Sequence, residues 1–150
     1  GLTLEPESHA LPRLYLATLQ ALAYGTRHIV EAMNAAGHRI ERVVMCGGGT
    51  RNPILLREQA DALGCPIHLV EDEDAVTLGA GLLAAVASGA FPDVAAAASA
   101  MVRPGRTIEP NPGRRAFHDA KYRVFLSLYD QQKAARDAMS AAPEGDPTPC

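Results

Sequence analysis

The sequence predicts an α/β domain with a parallel strand-helix-strand core and several helices packed around it. Two short apolar runs, at 42–46 and 66–70, flank a segment of helical spacing. Joined by short loops, such a unit closes as a right-handed crossover with parallel strands. Three consecutive glycines, Gly47, Gly48 and Gly49, lie between the first run and the helix, at the carboxyl edge of the sheet where open α/β folds bind ligands. The chain has 150 residues, 47% of them hydrophobic and 21% charged. That suits one domain with a real core, since such a length buries about 68–70% of its unfolded surface.

In order along the chain, residues 10–36 place Leu11, Leu14, Leu19, Leu22, Ile29, Val30 and Met33 at three- and four-residue steps, and Gly37 follows as a stop. This predicts a long, partly buried helix. The strand at 42–46 comes next. Residues 53–63 form a helix with Asn52 as N-cap, Pro53 at its first position and Gly64 closing it, the usual chemistry of both ends. The second strand covers 66–70. An acidic run, Glu71 to Asp74, precedes an alanine- and leucine-rich helix at 75–88 ended by Gly89, and Pro92-Asp93 start another that runs to Met101. Both helices are expected to be packed. Residues 102–113 hold Pro104, Gly105, Pro110, Pro112 and Gly113, which predicts an irregular connection. A last helix at 114–139 carries Phe117, Val124, Phe125, Leu128 and Tyr129 on one side. The end, 141–150, has three prolines and no core former and is expected to be disordered.

A formal charge of −3 with no basic block gives no nucleic-acid footprint. No stretch approaches the roughly 18 uninterrupted apolar residues of a membrane span. Cys46, Cys65 and Cys150 are odd in number and widely separated, and the start lacks the charged and apolar regions of a secretion signal. A reducing cytoplasm is the expected location. The opening Gly1-Leu2-Thr3-Leu4 reads as the end of a strand begun elsewhere.

The glycine turn has two readings. It is either a tight turn needing positive φ, or a surface where bare backbone approaches a ligand while the following helix offers free amides and its positive dipole end to an anion. Its place after a strand and before a capped helix favours ligand contact, with a nucleotide as the ligand. No Gly-Lys-Ser/Thr follows, so it is not a Walker loop, and Asn52 stands where the dinucleotide fingerprint needs its third glycine. Lacking a lysine, the loop suits sugar, base or α-phosphate contact better than a grip on the transferred phosphoryl group. Arg51 has two readings, a phosphate contact or, more commonly for an arginine at a helix start, a solvated residue, and it is left out of the site. Cys46 reads as a small buried filler, the five histidines (9, 28, 38, 68 and 118) as structural or surface residues without metal-ligand spacing, and Asp74 as a helix cap in preference to a Mg²⁺ ligand. No metal site is assigned.

The segment from Leu14 to Asp74 resembles the C-terminal domain of the FGGY carbohydrate kinases, a sugar-kinase family with the actin-like (ribonuclease H-like) ATPase fold. Leu16-Ala17-Thr18-Leu19-Gln20-Ala21-Leu22-Ala23-Tyr24-Gly25-Thr26-Arg27 is similar to a helix of that family, and Cys46 through Leu63 to its adenosine motif without a gap. Asp74-Ala75-Val76-Thr77-Leu78-Gly79-Ala80-Gly81 is similar to the helix that follows. Arg13 departs from the polar or acidic residue usual at its position. The last helix, Phe117-His118-Asp119-Ala120-Lys121-Tyr122-Arg123-Val124-Phe125-Leu126, is similar to the ribulokinase-like branch.

The resemblance implies that residues 1–140 are the later part of the C-terminal actin-like domain. It implies that Gly48 presents backbone to the α-phosphate and ribose of ATP, that Asn52 contacts the adenine end, and that Gly47 and Gly49 shape the turn. The sugar substrate would be a pentulose such as ribulose, or a pentitol. Catalysis would need ATP, Mg²⁺ and an aspartate base, the last supplied with the sugar pocket by an N-terminal lobe upstream of residue 1. No catalytic residue is assigned within this chain, which is expected to be inactive alone; a homodimer is the candidate assembly. The alternative expectation is a noncatalytic assembly module of the same fold that uses its first and last helices as contact surfaces. An NAD-dependent oxidoreductase domain is disfavoured, because no G-x-G-x-x-G with a following acidic residue is present.

Overall fold

Apolar residues that alternate along two short strands, and recur every three to four positions on the helix between them, give that helix one face to lay on the sheet. The computed structural model, which describes residues 10–71 and 74–141, builds from this unit. Helix α1 spans Ala10–Ala35, strand β1 Val43–Met45, helix α2 Pro53–Leu63 and strand β2 Ile67–Val70. Helices α3 (Ala75–Ala87) and α4 (Val94–Met101) follow, then strand β3 (Pro104–Ile108) and helix α5 (Arg115–Ser140). One-turn 3₁₀ helices, Gly48–Arg51 and Pro112–Arg114, precede α2 and α5.

Strands β1 and β2 pair in parallel, with Val43 opposite Ile67 and Met45 opposite Leu69. Leu56 and Ala60 of α2 pack on Ile67 and Leu69, joined by Val43, Met45, Leu63 and Ile108. A second cluster lies between the helices, where Ala62 of α2 meets Ala23 and Tyr24 of α1 and Tyr122 of α5. Helix α2 is therefore sandwiched between the sheet and the α1/α5 pair, and its amino end is fixed from both sides.

Three expectations are corrected. The irregular connection at 102–113 contains β3, which pairs antiparallel with β2, Ile67 opposite Ile108 and His68 opposite Thr107. Proline and glycine marked it as loop, but the ladder tolerates both: Pro104 sits at its end opposite Val70. A Cβ on Gly105 would lie 3.0 Å from the Val70 carbonyl carbon, so glycine permits the close approach. Secondly, the long helices are partly buried, but not through most of their apolar rows. Leu11, Leu14, Leu22, Ile29 and Met33 of α1, and Phe117, Val124, Leu128 and Tyr129 of α5, all face solvent. What α1 buries is Leu19, Gln20, Ala23, Tyr24 and Arg27, the three polar ones each with a partner, Glu58, His118 and Asp119 respectively. Thirdly, α3 packs against α4 but has no buried residue, and α4 buries only Ala97. The expected strand end at 1–4 and the disordered tail, beyond residue 141, lie outside the described residues.

Candidate functional site

The glycine turn begins where β1 ends. Gly47 has φ 84° and ψ −174°, a backbone conformation that side chains disfavour. Its carbonyl accepts hydrogen bonds from the Thr50 amide at 3.0 Å and the Thr50 hydroxyl at 2.7 Å, which closes the 3₁₀ turn. The amides of Gly48 and Gly49 precede the first bonded amide of that turn, and both residues are exposed. Gly48 does not have a positive φ, and a Cβ built on it would meet nothing within 4 Å. Neither local conformation nor internal packing demands glycine at this position.

Asn52 joins the turn to α2. Its amide donates to the Gly49 carbonyl at 3.2 Å, and its side-chain Oδ1 accepts from the amides of Ile54 and Leu55 at 3.1 and 3.2 Å. The Asn52 carbonyl takes the Leu56 amide, and Pro53 has no N–H to offer. The start of α2 is thus already satisfied, which corrects the expectation that this helix presents free amides to an anion. In the turn before it, Gly48 and Gly49 are exposed and no backbone acceptor among the described residues takes their amides. Asn52 also donates from Nδ2 to the hydroxyl of Tyr15 on α1, at 2.6 Å, a contact with no signal in the sequence because the partners are far apart in the chain. The structure therefore brings Gly47, Gly48, Gly49 and Asn52 into one turn and adds Tyr15.

Cys46 is exposed and so is not a buried filler. Val43 and Met45 point into the core, and the alternation of an extended chain turns Val44 and Cys46 the other way. Asp74 caps α3 as expected: its carboxylate accepts from the Thr77 amide at 3.1 Å and the Thr77 hydroxyl at 2.7 Å. Those bonds hold its carboxyl below the usual range. Among the described residues no group of three or more His, Cys, Asp or Glu is placed to hold a metal ion.

A buried charge network beneath the turn had no counterpart in the sequence reading. Glu58 and Asp61, one helical turn apart on α2, are both buried. The Arg114 guanidinium donates from Nη2 to Glu58 Oε1 at 3.1 Å and stands as an ion pair beside Asp61, its Nε 3.3 Å from an Oδ2 that has no hydrogen-bond partner. Gln20 of α1 donates to Glu58 Oε2 at 2.8 Å, and the Asn111 amide donates to Asp61 Oδ1 at 2.7 Å. His118 is fully buried beside them, its Nε2 accepting from Arg114 Nε and its Nδ1 lying 3.1 Å from the Tyr24 hydroxyl. The network ties α1, α2 and α5 together at charges that would otherwise be stranded. On the outer side Arg27 of α1 pairs with Asp119 of α5 at 2.7 Å and covers the Tyr122 ring at 4.2 Å.

Burial pushes the His118 pKa down from its ordinary 6.5, against the opposing pull of Glu58. Between the lowered value and 6.5 the unfolded chain binds a proton that the folded chain refuses, so the contribution is present above that window and lost as pH falls through it. The Tm is expected to drop as the pH is lowered below 6.5, and His118→Asn to flatten that drop. A variant whose Tm follows the same pH curve as the parent would remove His118 as its source.

A parallel strand-helix-strand core with a glycine turn at its carboxyl edge is the arrangement by which α/β domains bind ligands, and the solved sugar kinases it resembles place it in an actin-like ATPase domain. A sequence profile of the FGGY family of carbohydrate kinases, C-terminal domain, matches residues 1–88. The chain belongs to that family. It is 45% identical over 133 residues to an FGGY carbohydrate kinase domain-containing protein of Xenopus laevis, covering 89% of this chain and 24% of the relative. It is 38% identical over 119 residues to a ribulokinase of Mycolicibacterium smegmatis, covering 77% and 21%. Among solved structures, xylulose kinase from Rhodospirillum rubrum superposes with a TM-score of 0.72 at 30% identity, covering 89% of this chain and 27% of that one. The chain spans about a quarter of the length of the curated relatives it matches.

Proposed function

We propose that residues 1–140 are the later part of the C-terminal lobe of an ATP-dependent carbohydrate kinase, and that Gly47, Gly48, Gly49 and Asn52 line the adenosine side of its ATP cleft. One observation carries the assignment: Gly48 is exposed at the carboxyl end of a parallel strand, with open space where a side chain would stand. A position that needs glycine for neither φ nor packing suits the close approach of something outside the chain. In this reading Gly48 lies against the α-phosphate and ribose, and Asn52 reaches the purine.

The sugar substrate is a pentulose such as ribulose, or a pentitol, a choice supported by relatives named as ribulokinase and xylulose kinase. In the complete kinase a sugar hydroxyl attacks the γ-phosphoryl of ATP as an aspartate accepts its proton, and positioned charge stabilises the transferring group. The aspartate and the sugar pocket are assigned to a first lobe outside these residues, so the chain alone holds one wall of the cleft and does not turn over. Mg²⁺ would arrive with ATP. The unpaired thiols of Cys46 and Cys65 support a cytoplasmic setting.

A noncatalytic assembly module is the second reading, favoured by the exposed apolar rows on α1 and α5. It predicts a stable oligomer with no nucleotide response. The deciding experiment is a titration of the ¹⁵N-labelled chain with ATP, followed by amide resonances. Shifts centred on Gly48, Gly49 and Asn52 are expected. Shifts confined to other residues, with these three unmoved, would overturn the site.

A further inference from the structure

The side chain of Asn52 has a restricted chemistry once its bonds are counted. Oδ1 already accepts from two α2 amides, at 3.1 and 3.2 Å, which uses both of its lone pairs and fixes which end of the amide is oxygen. Nδ2 has two hydrogens. One goes to the Tyr15 hydroxyl at 2.6 Å, and the other remains for a ligand. Tyr15 accepts that bond and so keeps its own hydroxyl hydrogen to donate elsewhere. Its ring is half exposed, at 50%, on the first turns of α1 above the glycine turn.

We propose that Tyr15 is a positioning residue of the nucleotide site, locking the Asn52 amide so that its side chain presents a hydrogen-bond donor only and reads an acceptor on the purine. The proposal rests on the nucleotide reading above and adds a residue and a polarity to it. The free N–H of Asn52 matches a ring nitrogen of the base, and its Oδ1, already taken twice, cannot accept from an exocyclic amine. With the cap holding the oxygen and Tyr15 holding the nitrogen, the remaining N–H has one direction. Its alignment costs nothing when the nucleotide arrives, which is the benefit of preorganisation.

The test uses the ¹⁵N-labelled chain with ATP as the probe, reading the Asn52 side-chain amide resonances, the ATP Kd and the Tm. In the absence of ATP, Tyr15→Phe should move one of the two Nδ2 proton resonances, and in the parent chain ATP should move the other. Loss of one hydrogen bond by Tyr15→Phe should weaken ATP by about threefold, and Asn52→Ser, which keeps a neutral N-cap oxygen but loses the amide donor, by about tenfold. The Tm should stay close to that of the parent in both, a result that a merely structural contact would not give. Gly48→Val serves as the reference. If it weakens ATP while Tyr15→Phe and Asn52→Ser do not, the donor pair is wrong and the site stands. If none of the three alters binding, or the parent chain shows no response to ATP, the nucleotide reading falls and this inference with it.

Discussion

Replacing Gly48 by valine in the complete kinase is expected to raise the KM for ATP by about tenfold or more, equivalent to roughly 1.4 kcal/mol of lost binding, while the KM for sugar stays within about twofold. The structure makes this substitution unusually clean. Apart from its chain neighbours, no described atom of this chain lies within 4 Å of the new Cβ, and the backbone is not in the left-handed region, so this domain leaves room for the first carbon of a side chain. Valine also has fewer unfolded conformations than glycine to lose, which leaves stability neutral or slightly higher. The branched side chain would instead fill the space proposed for ribose and α-phosphate. Steady-state kinetics with each substrate varied in turn separates the outcomes. An ATP KM equal to that of the parent would contradict the close approach of backbone to nucleotide.

Removing the guanidinium of Arg114 is expected to cost stability on a larger scale. In Arg114→Ala the carboxylates of Glu58 and Asp61, with side chains 4% and 1% exposed, lose the cation between them while remaining one helical turn apart. Breaking a buried pair in this way costs roughly 3–5 kcal/mol. Arg114 is itself 36% exposed, so solvent already screens part of the interaction, and about 2–4 kcal/mol is the expected loss. Arg114→Lys should recover only part of it, since one ammonium replaces a planar fork that reaches two carboxylates. Urea unfolding measures both. A loss below about 1 kcal/mol for the alanine variant would mean that Gln20 and the Asn111 amide satisfy the acids unaided.

The two substitutions probe parts of the molecule that differed in how far the sequence revealed them. The ends of α2 were readable because their chemistry is local: Asn52, Pro53 and Gly64 each act within a few residues, and each occupies its expected place. The same holds for Asp74 as the cap of α3. Strand β3 was hidden because Pro104 and Gly105 carry a strong local signal for a turn, and only the nearby edge of β2 makes an extended conformation worthwhile there. The network around Arg114 was hidden for a related reason. Glu58 and Asp61 look like ordinary charged positions on a helix until α1 and α5 close over them.

Apolar spacing on the long helices misled in the opposite direction. Periodicity reports that a face is apolar, and burial also requires neighbours that cover it, which the described residues do only in part for Leu22, Ile29, Val124 and Leu128. The sequence by itself determined the order of the core elements, the glycine turn between them and the family, because these depend on short-range backbone chemistry and on residue identity. Tertiary structure alone decided which amides remain open to a ligand, that Asn52 is held by Tyr15, and where buried charge is neutralised. Those outcomes depend on side chains brought together from α1, α2 and α5, and the distance between such partners is set by packing.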